Sequence, residues 1–450
     1  MSAQPRRFTI VGAGLGGALL ANYLGRAGHA VDLYELRPDP RQRGFVGGRS
    51  INLAISERGL HALRGIGMEA EILRMAVPMR GRMIHARDGA LRFQPYDRDP
   101  ARCINSISRG GLNIALLDAA AKHENVRVRF GCRCVDVDLD AAAARFVDEA
   151  TGHEFVAAGD ALIGADGAFS AVRRAMQRLD GFVCSLDTLE HGYKELHIPP
   201  ADGGGFRMER NALHIWPRKA FMTIALPNAD GSFTVTCFWP LKGENGFERL
   251  RTPEDLRGFF ERQFPDALPL MPTLEQDFFA NPTGSLTTIR CAPWHCRDKV
   301  LLVGDAAHAI VPFYGQGMNA AFEDCVALSE CLSRHGDALG EAFAEFYVLR
   351  KPNADAIADL ALENFIEMRD KSASRVFRAY KHMERTLHGL LPGLYTPLYT
   401  MISFTTIPYA EARRRARRQD VIVLAAAVAA TALDVIVLLA AAWWAWVTWT

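Results

Sequence analysis

The sequence predicts an α/β protein: a discontinuous Rossmann-like domain, an antiparallel β-sheet domain, a helical C-terminal region and a final apolar helix. Three observations predict it. An apolar strand runs into a glycine-rich turn and helix near the N-terminus, and a second strand follows, closing at Glu35. Short alternating runs replace that pattern between Phe206 and Leu241, before an apolar parallel-type strand returns at Val300 to Val303. Finally, Val421 to Val447 is apolar throughout except for Thr431 and Asp434.

Taken in order, Phe8 to Val11 is a strand, Gly17 to Ala27 has helical periodicity and Ala30 to Glu35 is a second strand, a complete βαβ unit. The runs beginning at Ala212, Phe221 and Phe233 alternate as antiparallel strands do, with Pro227 to Ser232 as a hairpin-type turn. Glu341 to Arg385 keeps helix spacing with proline only at Pro352. The predicted division assigns 1–75, 101–180 and 291–340 to the nucleotide domain and 76–100 and 181–290 to the sheet domain. Residues 341–412 form the helical region, and 413–450 a basic linker and membrane anchor. Arg413, Arg414, Arg415, Arg417 and Arg418 precede the apolar run, the pattern of a C-terminal anchor whose basic flank stays cytoplasmic. The polar N-terminus, Met1 to Arg7, has no secretory apolar core, so the catalytic body is expected in the cytoplasm.

Composition narrows the function classes. With 49% hydrophobic and 23% charged residues, the 450-residue chain is neither disordered nor collagen-like. Its 52 Lys and Arg against 51 Asp and Glu leave +1, which argues against a nucleic-acid partner. Nine cysteines without tandem CxxC pairs suggest free thiols in a reducing compartment. Cys291, His295 and Cys296 are the nearest approach to a metal cluster, and no metal site is expected.

The chemistry begins at Gly12-Ala-Gly14-Leu-Gly-Gly17, a GxGxxG between strand and helix. Gly12 permits the turn, Gly14 admits a pyrophosphate to the backbone, and Gly17 allows close helix packing. Glu35 is placed to accept from an adenosine ribose. This motif implies a dinucleotide without separating FAD from NAD. Gly304-Asp305 points to FAD: Asp305 can accept from ribityl hydroxyls. The turn Pro312-Phe313-Tyr314-Gly315-Gln316 leads into a helix starting at Gly317, Met318 and Asn319, whose N-terminus suits the negative charge of a reduced flavin. An acid capping an ordinary helix is the plainer alternative for Asp305, and His308 reads as a structural helix-end residue.

A third segment, Ala161 to Arg173 with Asp166-Gly167, is another apolar strand ending in Asp-Gly, and Ser108-Arg109 opens a further helix. The three motifs, in this order and spacing, resemble the flavin-dependent aromatic hydroxylases. The resemblance implies that Arg109 lies near the FAD phosphates and Asp166 near the flavin nucleotide and a transient NADPH path.

The segments Gly48 to Ala54, Arg82 to His85, Gln94 to Tyr96, Pro312 to Gln316, Glu363 to Arg369 and Pro397 to Met401 are similar to the branch of that family that hydroxylates kynurenine. That resemblance implies that Arg82, Tyr96 and Tyr399 hold the carboxylate of L-kynurenine, with Asn364 nearby and Glu367 and Met368 supporting the ring pocket. It further implies FAD as cofactor, NADPH and O2 as co-substrates, and hydroxylation at ring position 3 through a C4a-hydroperoxyflavin. Since the flavin carries the chemistry, no protein residue is assigned as catalytic, and the Pro312 to Gln316 loop would cover the flavin face. Tyr314 departs from the family pattern. Taken alone, Arg82 reads equally as a surface strand residue, Tyr96 as a turn aromatic, Tyr399 as core and Glu367 as a solvated helix face. Two other functions stay open: a flavin monooxygenase or epoxidase of a lipophilic substrate delivered from the membrane, and a membrane-docked FAD electron-transfer module.

Overall fold

The computed structural model describes residues 4–43, 52–367, 383–384, 386–391 and 393–449. The apolar strand Arg7–Val11 buries four of its five residues and lies inside a six-stranded sheet. Its neighbours Ala30–Tyr34 and Ala161–Gly164 are parallel to it, and Val126–Arg129 and Val300–Leu302 extend the parallel run on either side. His295–Cys296 adds an antiparallel edge. Strands buried on both faces read as continuous apolar runs, and this is why Val300 to Val303 announced itself. An antiparallel meander of Cys132–Asp138, Ala143–Asp148 and Glu154–Ala158 lies alongside in sequence, between the strands at Val126 and Ala161.

A seven-stranded sheet forms the second layer, in the order Gly284–Ala292, Val183–Ile198, Phe233–Pro240, Met222–Pro227, Ala212–Pro217, Gly81–His85 and Leu91–Pro95. It is mixed rather than purely antiparallel: Gly81–His85 pairs in parallel with Ala212–Pro217, Arg82 opposite Leu213. This pairing brings the early strand carrying Arg82 into the later sheet. One face of the sheet is covered by Pro253–Gln263 and Leu274–Ala280 around Trp239, Phe260 and Phe264. The helix Pro253–Gln263 starts at a capping box in which Thr252 and Asp255 satisfy each other's backbone N–H groups.

Gly317–His335 and Leu339–Ile366 are the long helices beyond the sheets. The last helix, Tyr409–Trp449, runs for 41 residues. Its first turn is rooted in the body, the buried Tyr409 and Ala412 packing with Ile357, Leu360, Met401 and Ile402. From Val421 onward its large apolar side chains are exposed, Leu438 at 69% and Trp444 at 68%. The arginine run expected to be a linker is therefore helical, because nothing in Tyr409 to Asp420 breaks the helix and Arg413 ties it to Asp359 and Glu363. This is a helix long and apolar enough to cross a membrane.

Candidate active site

The glycine-rich turn lies at the carboxyl end of the parallel sheet, where such folds leave a crevice for ligands. Gly12 has φ +101°, and a Cβ there would meet the Ala165 carbonyl oxygen at 2.5 Å. A Cβ on Gly17 would lie 1.9 Å from the Gly12 carbonyl oxygen, so only glycine lets the helix Leu15–Arg26 sit this close to the turn. At Gly14 a Cβ meets nothing within 4 Å. The open backbone there borders a cleft lined by Gly14, Glu35, Arg37, Arg109, Asn113 and Phe130.

Glu35 accepts from the Ala13 N–H at 2.8 Å and the Arg37 N–H at 3.0 Å. Each carboxylate oxygen keeps a further lone pair for a ligand hydroxyl. Arg109 is the first residue of Arg109–Ala120, a helix capped by Ser108, and Asn113 from the same helix holds the Ala13 carbonyl at 3.0 Å. An open backbone, a carboxylate and a cation at a helix N-terminus in one cleft suit the ribose and pyrophosphate of a dinucleotide. Asp166 serves this region from the next strand. Its Oδ2 accepts from Ala171 at 2.6 Å and Val172 at 3.3 Å, capping Ala171–Met176, while Oδ1 is buried without a partner among the described residues. Burial pushes this carboxyl up.

Gly304 has φ +58° and gives its N–H to Asp324 Oδ2 at 2.9 Å, so the chain turns sharply before the exposed Asp305. Asp324 also meets His308 Nε2 at 2.6 Å and Arg350 Nε at 2.7 Å. Burial alone would raise its carboxyl, but His308 and Arg350 outweigh it and hold the group at about 2. Gly315 is left-handed at φ +67°, and no side chain caps the helix that follows. The first-turn N–H groups of Gly317, Met318 and Asn319 therefore remain to be satisfied. The Asn319 side chain is fully buried and already spent, donating to Ala54 and Gly315 and accepting from Ser56, so only its backbone is left for a ligand.

A second cluster is aromatic. Tyr399 stacks on Tyr96 at 5.4 Å and on Tyr314 at 5.8 Å, and the Arg82 guanidinium lies 5.0 Å from the Tyr399 ring and 5.7 Å from that of Tyr96. Arg82 Nε is buried without a hydrogen-bond partner among the described residues. Burial pushes the Tyr96 and Tyr314 hydroxyls up, which keeps both as protonated donors. Phe313 stacks on Phe365 at 4.1 Å and meets Phe238 at 5.1 Å, while Asn364 donates to the Phe313 carbonyl at 2.7 Å. The charges of Glu367 and Glu384 reach the Tyr314 hydroxyl. Arg82, Tyr96, Tyr314 and Tyr399 thus come together, with Asn364 and Glu367 beside the loop; Met368 lies outside the described residues.

The sequence reading missed the support beneath this loop. Gln316 accepts from Tyr409 Oη at 2.9 Å, and the Arg58 guanidinium lies 3.9 Å from the Tyr409 ring centre. Arg58 donates to Ile402 and Ile407 and pairs with Glu323, which also holds Arg350 at 3.0 Å. It missed Glu195 as well, a carboxyl raised to about 7 by burial, against the lowering charge of Arg109. A half-buried carboxylate between buried strand neighbours gives no periodic signal of its own.

Residues 7–359 match the family model described as FAD binding domain. The fold is that of 2-methyl-3-hydroxypyridine-5-carboxylic acid oxygenase, with a TM-score of 0.67 at 21% identity over 87% of this chain and 99% of that one. P. aeruginosa PqsL, solved in complex with 2-aminobenzoylacetate, superposes with a TM-score of 0.67 at 22% identity over 84% and 100%. The class is that of FAD-dependent monooxygenases. A kynurenine 3-monooxygenase of Myxococcus xanthus is 51% identical over 90% of this chain and 88% of the relative, and one of Stenotrophomonas maltophilia is 49% identical over 91% and 90%. The chain belongs to the kynurenine 3-monooxygenase family.

Proposed function

We propose that the protein hydroxylates L-kynurenine at ring carbon 3 with NADPH and O2, using FAD as its resident cofactor. The observation that carries the substrate reading is Arg82, a guanidinium walled by two tyrosines with a buried Nε that no described residue satisfies. An amino-acid carboxylate supplies the missing acceptor in the bidentate geometry that arginine favours. FAD supplies the passage of electrons from NADPH and the activation of O2. Gly12, Gly14, Gly17, Glu35 and Arg109 would hold its nucleotide half, with Asp166 beside them. Gly304, Asp305 and the first-turn N–H groups of Gly317, Met318 and Asn319 would hold the ribityl chain and ring.

The chain's own work is orientation and exclusion of water. Arg82, Tyr96 and Tyr399 fix the amino-acid end, Asn364, Glu367 and Met368 support the pocket, and Phe313 and Tyr314 dry it. The carbon ortho to an aromatic amine is already electron-rich, so no protein base is assigned. Val421 to Val447, the exposed part of the helix Tyr409–Trp449, is read as a bilayer anchor with the arginines on the cytoplasmic side with the catalytic body, and with Trp443, Trp444, Trp446 and Trp449 at the far interface. The deciding experiment measures whether kynurenine accelerates NADPH oxidation and whether hydroxylated product matches the NADPH consumed. Oxidation indifferent to kynurenine would reject the substrate.

A further inference from the structure

Near the end of the body, a short segment turns an apolar surface outward. Leu390, Leu391 and Leu394 are 72%, 46% and 77% exposed. The same segment is tied inward on its other side. His388 Nδ1 contacts the Tyr395 carbonyl at 2.8 Å, Tyr395 Oη meets Glu384 at 3.3 Å, and both Tyr395 and Glu384 are buried. Gly389 lies beside the Arg98 guanidinium, which would have to move to admit a Cβ there. The outward leucines are therefore held in place by a fixed turn, and an apolar cluster kept outward in this way marks an interaction surface.

Its position indicates the partner. The Thr396 N–H donates to Gln419 Oε1 at 3.1 Å, joining the segment to the last helix two residues before Val421, where the exposed apolar stretch begins. Two residues of chain span at most ~7 Å, so Leu394 and Val421 each lie within a short step of this one hydrogen bond. Exposed Arg414, Arg415, Arg417 and Arg418 occupy the turns just before it. Apolar side chains at the level where a spanning helix enters, with basic residues behind them, match the interface of an anionic bilayer.

We propose that Leu390, Leu391 and Leu394 form a second membrane contact, immersed in the headgroup and upper acyl region of an anionic bilayer beside the entry of the apolar helix. The proposal rests on the reading of Val421 to Val447 as a bilayer anchor. It places the Thr396 to Tyr399 stretch, and with it one wall of the kynurenine pocket, directly above the lipid surface.

The test uses the full-length protein in phosphatidylcholine vesicles containing phosphatidylserine and a lipid with a diazirine on its acyl chain. After irradiation, labelled peptides are mapped by mass spectrometry. Label is expected on peptides covering 421–447 and also on those covering 386–396. In Leu390→Ser/Leu391→Ser/Leu394→Ser, and in the milder Leu394→Ser should the triple variant fail to fold, label on 386–396 should fall to that of an unirradiated sample while tail labelling persists. Wild-type labelling confined to 421–447 overturns the second contact and leaves the anchor standing. Labelling of neither region overturns the anchor reading itself.

Discussion

Tyr409 donates its hydroxyl to Gln316 at 2.9 Å, both side chains fully buried, so the first residue of the last helix holds the loop that precedes Gly317. Tyr409→Phe keeps the ring over Arg58 and leaves a buried amide oxygen with only the long bond from Ser56 Oγ at 3.5 Å. The expected cost is about 1–2 kcal/mol of stability, with faster loss of FAD on dialysis. A variant that melts and retains flavin as the wild type does would show that the bond carries nothing.

Arg82→Met should raise the kynurenine KM while FAD content stays unchanged. Removing one partner of a buried, charged hydrogen-bonded pair costs about 2–5 kcal/mol, which corresponds to a KM increase of roughly thirtyfold or more. Steady-state kinetics beside a flavin-to-protein absorbance ratio separates loss of substrate from loss of cofactor. Decarboxylated kynurenine should be a poor substrate of the wild type for the same reason.

The glycines of the fingerprint should respond in opposite ways. Gly14→Ala adds a Cβ that meets no protein atom within 4 Å, so the apoprotein should melt within about 0.5 kcal/mol of wild type while FAD binds tens of times more weakly. Gly17→Ala places its Cβ 1.9 Å from a backbone oxygen and should destabilise the apoprotein itself. Calorimetry of the two apoproteins, followed by FAD titration, checks both. Unaltered FAD affinity in Gly14→Ala would remove the open backbone from the cofactor site.

Asp324 sets an acid limit on stability. Its carboxyl is held at about 2 in the folded protein, below the ~3.9 of an unfolded aspartate. The group therefore stabilises the fold fully above about pH 4, and the contribution is lost as pH falls from there toward about 2. Asp324→Asn leaves Arg350 and His308 without their shared carboxylate and should cost about 3–5 kcal/mol at neutral pH. Its unfolding free energy should also change less than that of wild type between pH 4 and 2, which denaturant titrations at both ends would reveal.

Truncation before Val421 should release the protein from membranes, and full-length protein should resist alkaline carbonate. Asp434, midway along the apolar run, costs roughly 2.5–3.5 kcal/mol in a bilayer centre, so Asp434→Leu should strengthen retention. Full-length protein recovered in the soluble fraction without detergent would contradict the anchor. A cut placed further back should also damage catalysis: one before Tyr409 removes the donor to Gln316, and one before Tyr399 removes a wall of the pocket as well.

Much of this was legible in the sequence because it is local. The strand, glycine turn and helix from Arg7 to Arg26 declare themselves through period and through positions only glycine can occupy, and Val300–Leu302 through unbroken apolarity. Arg82 and Tyr399 were matched by resemblance, since 317 positions separate them and neither carries a local signal of the pocket. The parallel pairing of Gly81–His85 with Ala212–Pro217 was illegible for the same reason. Asp324 sits within an amphipathic helix where an acid reads as solvated, and its burial follows only once Arg350 from the next helix folds over it. The arginine run looked like a linker because charge was its most visible property, whereas the buried faces of Tyr409 and Ala412 make it the rooted end of a helix.

That rooted helix has a mechanical consequence. Its 41 residues make a rod of ~60 Å at ~1.5 Å per residue, leaving the body with no pivot between Tyr409 and the lipid. A catalytic body on a flexible tether samples many attitudes above a membrane; one carried on a stiff mast turns about a single axis and keeps its height. In a bilayer, the mouth of the pocket would then stand at one fixed elevation. Spectroscopic rulers from the lipid plane to the flavin would read a single narrow distance.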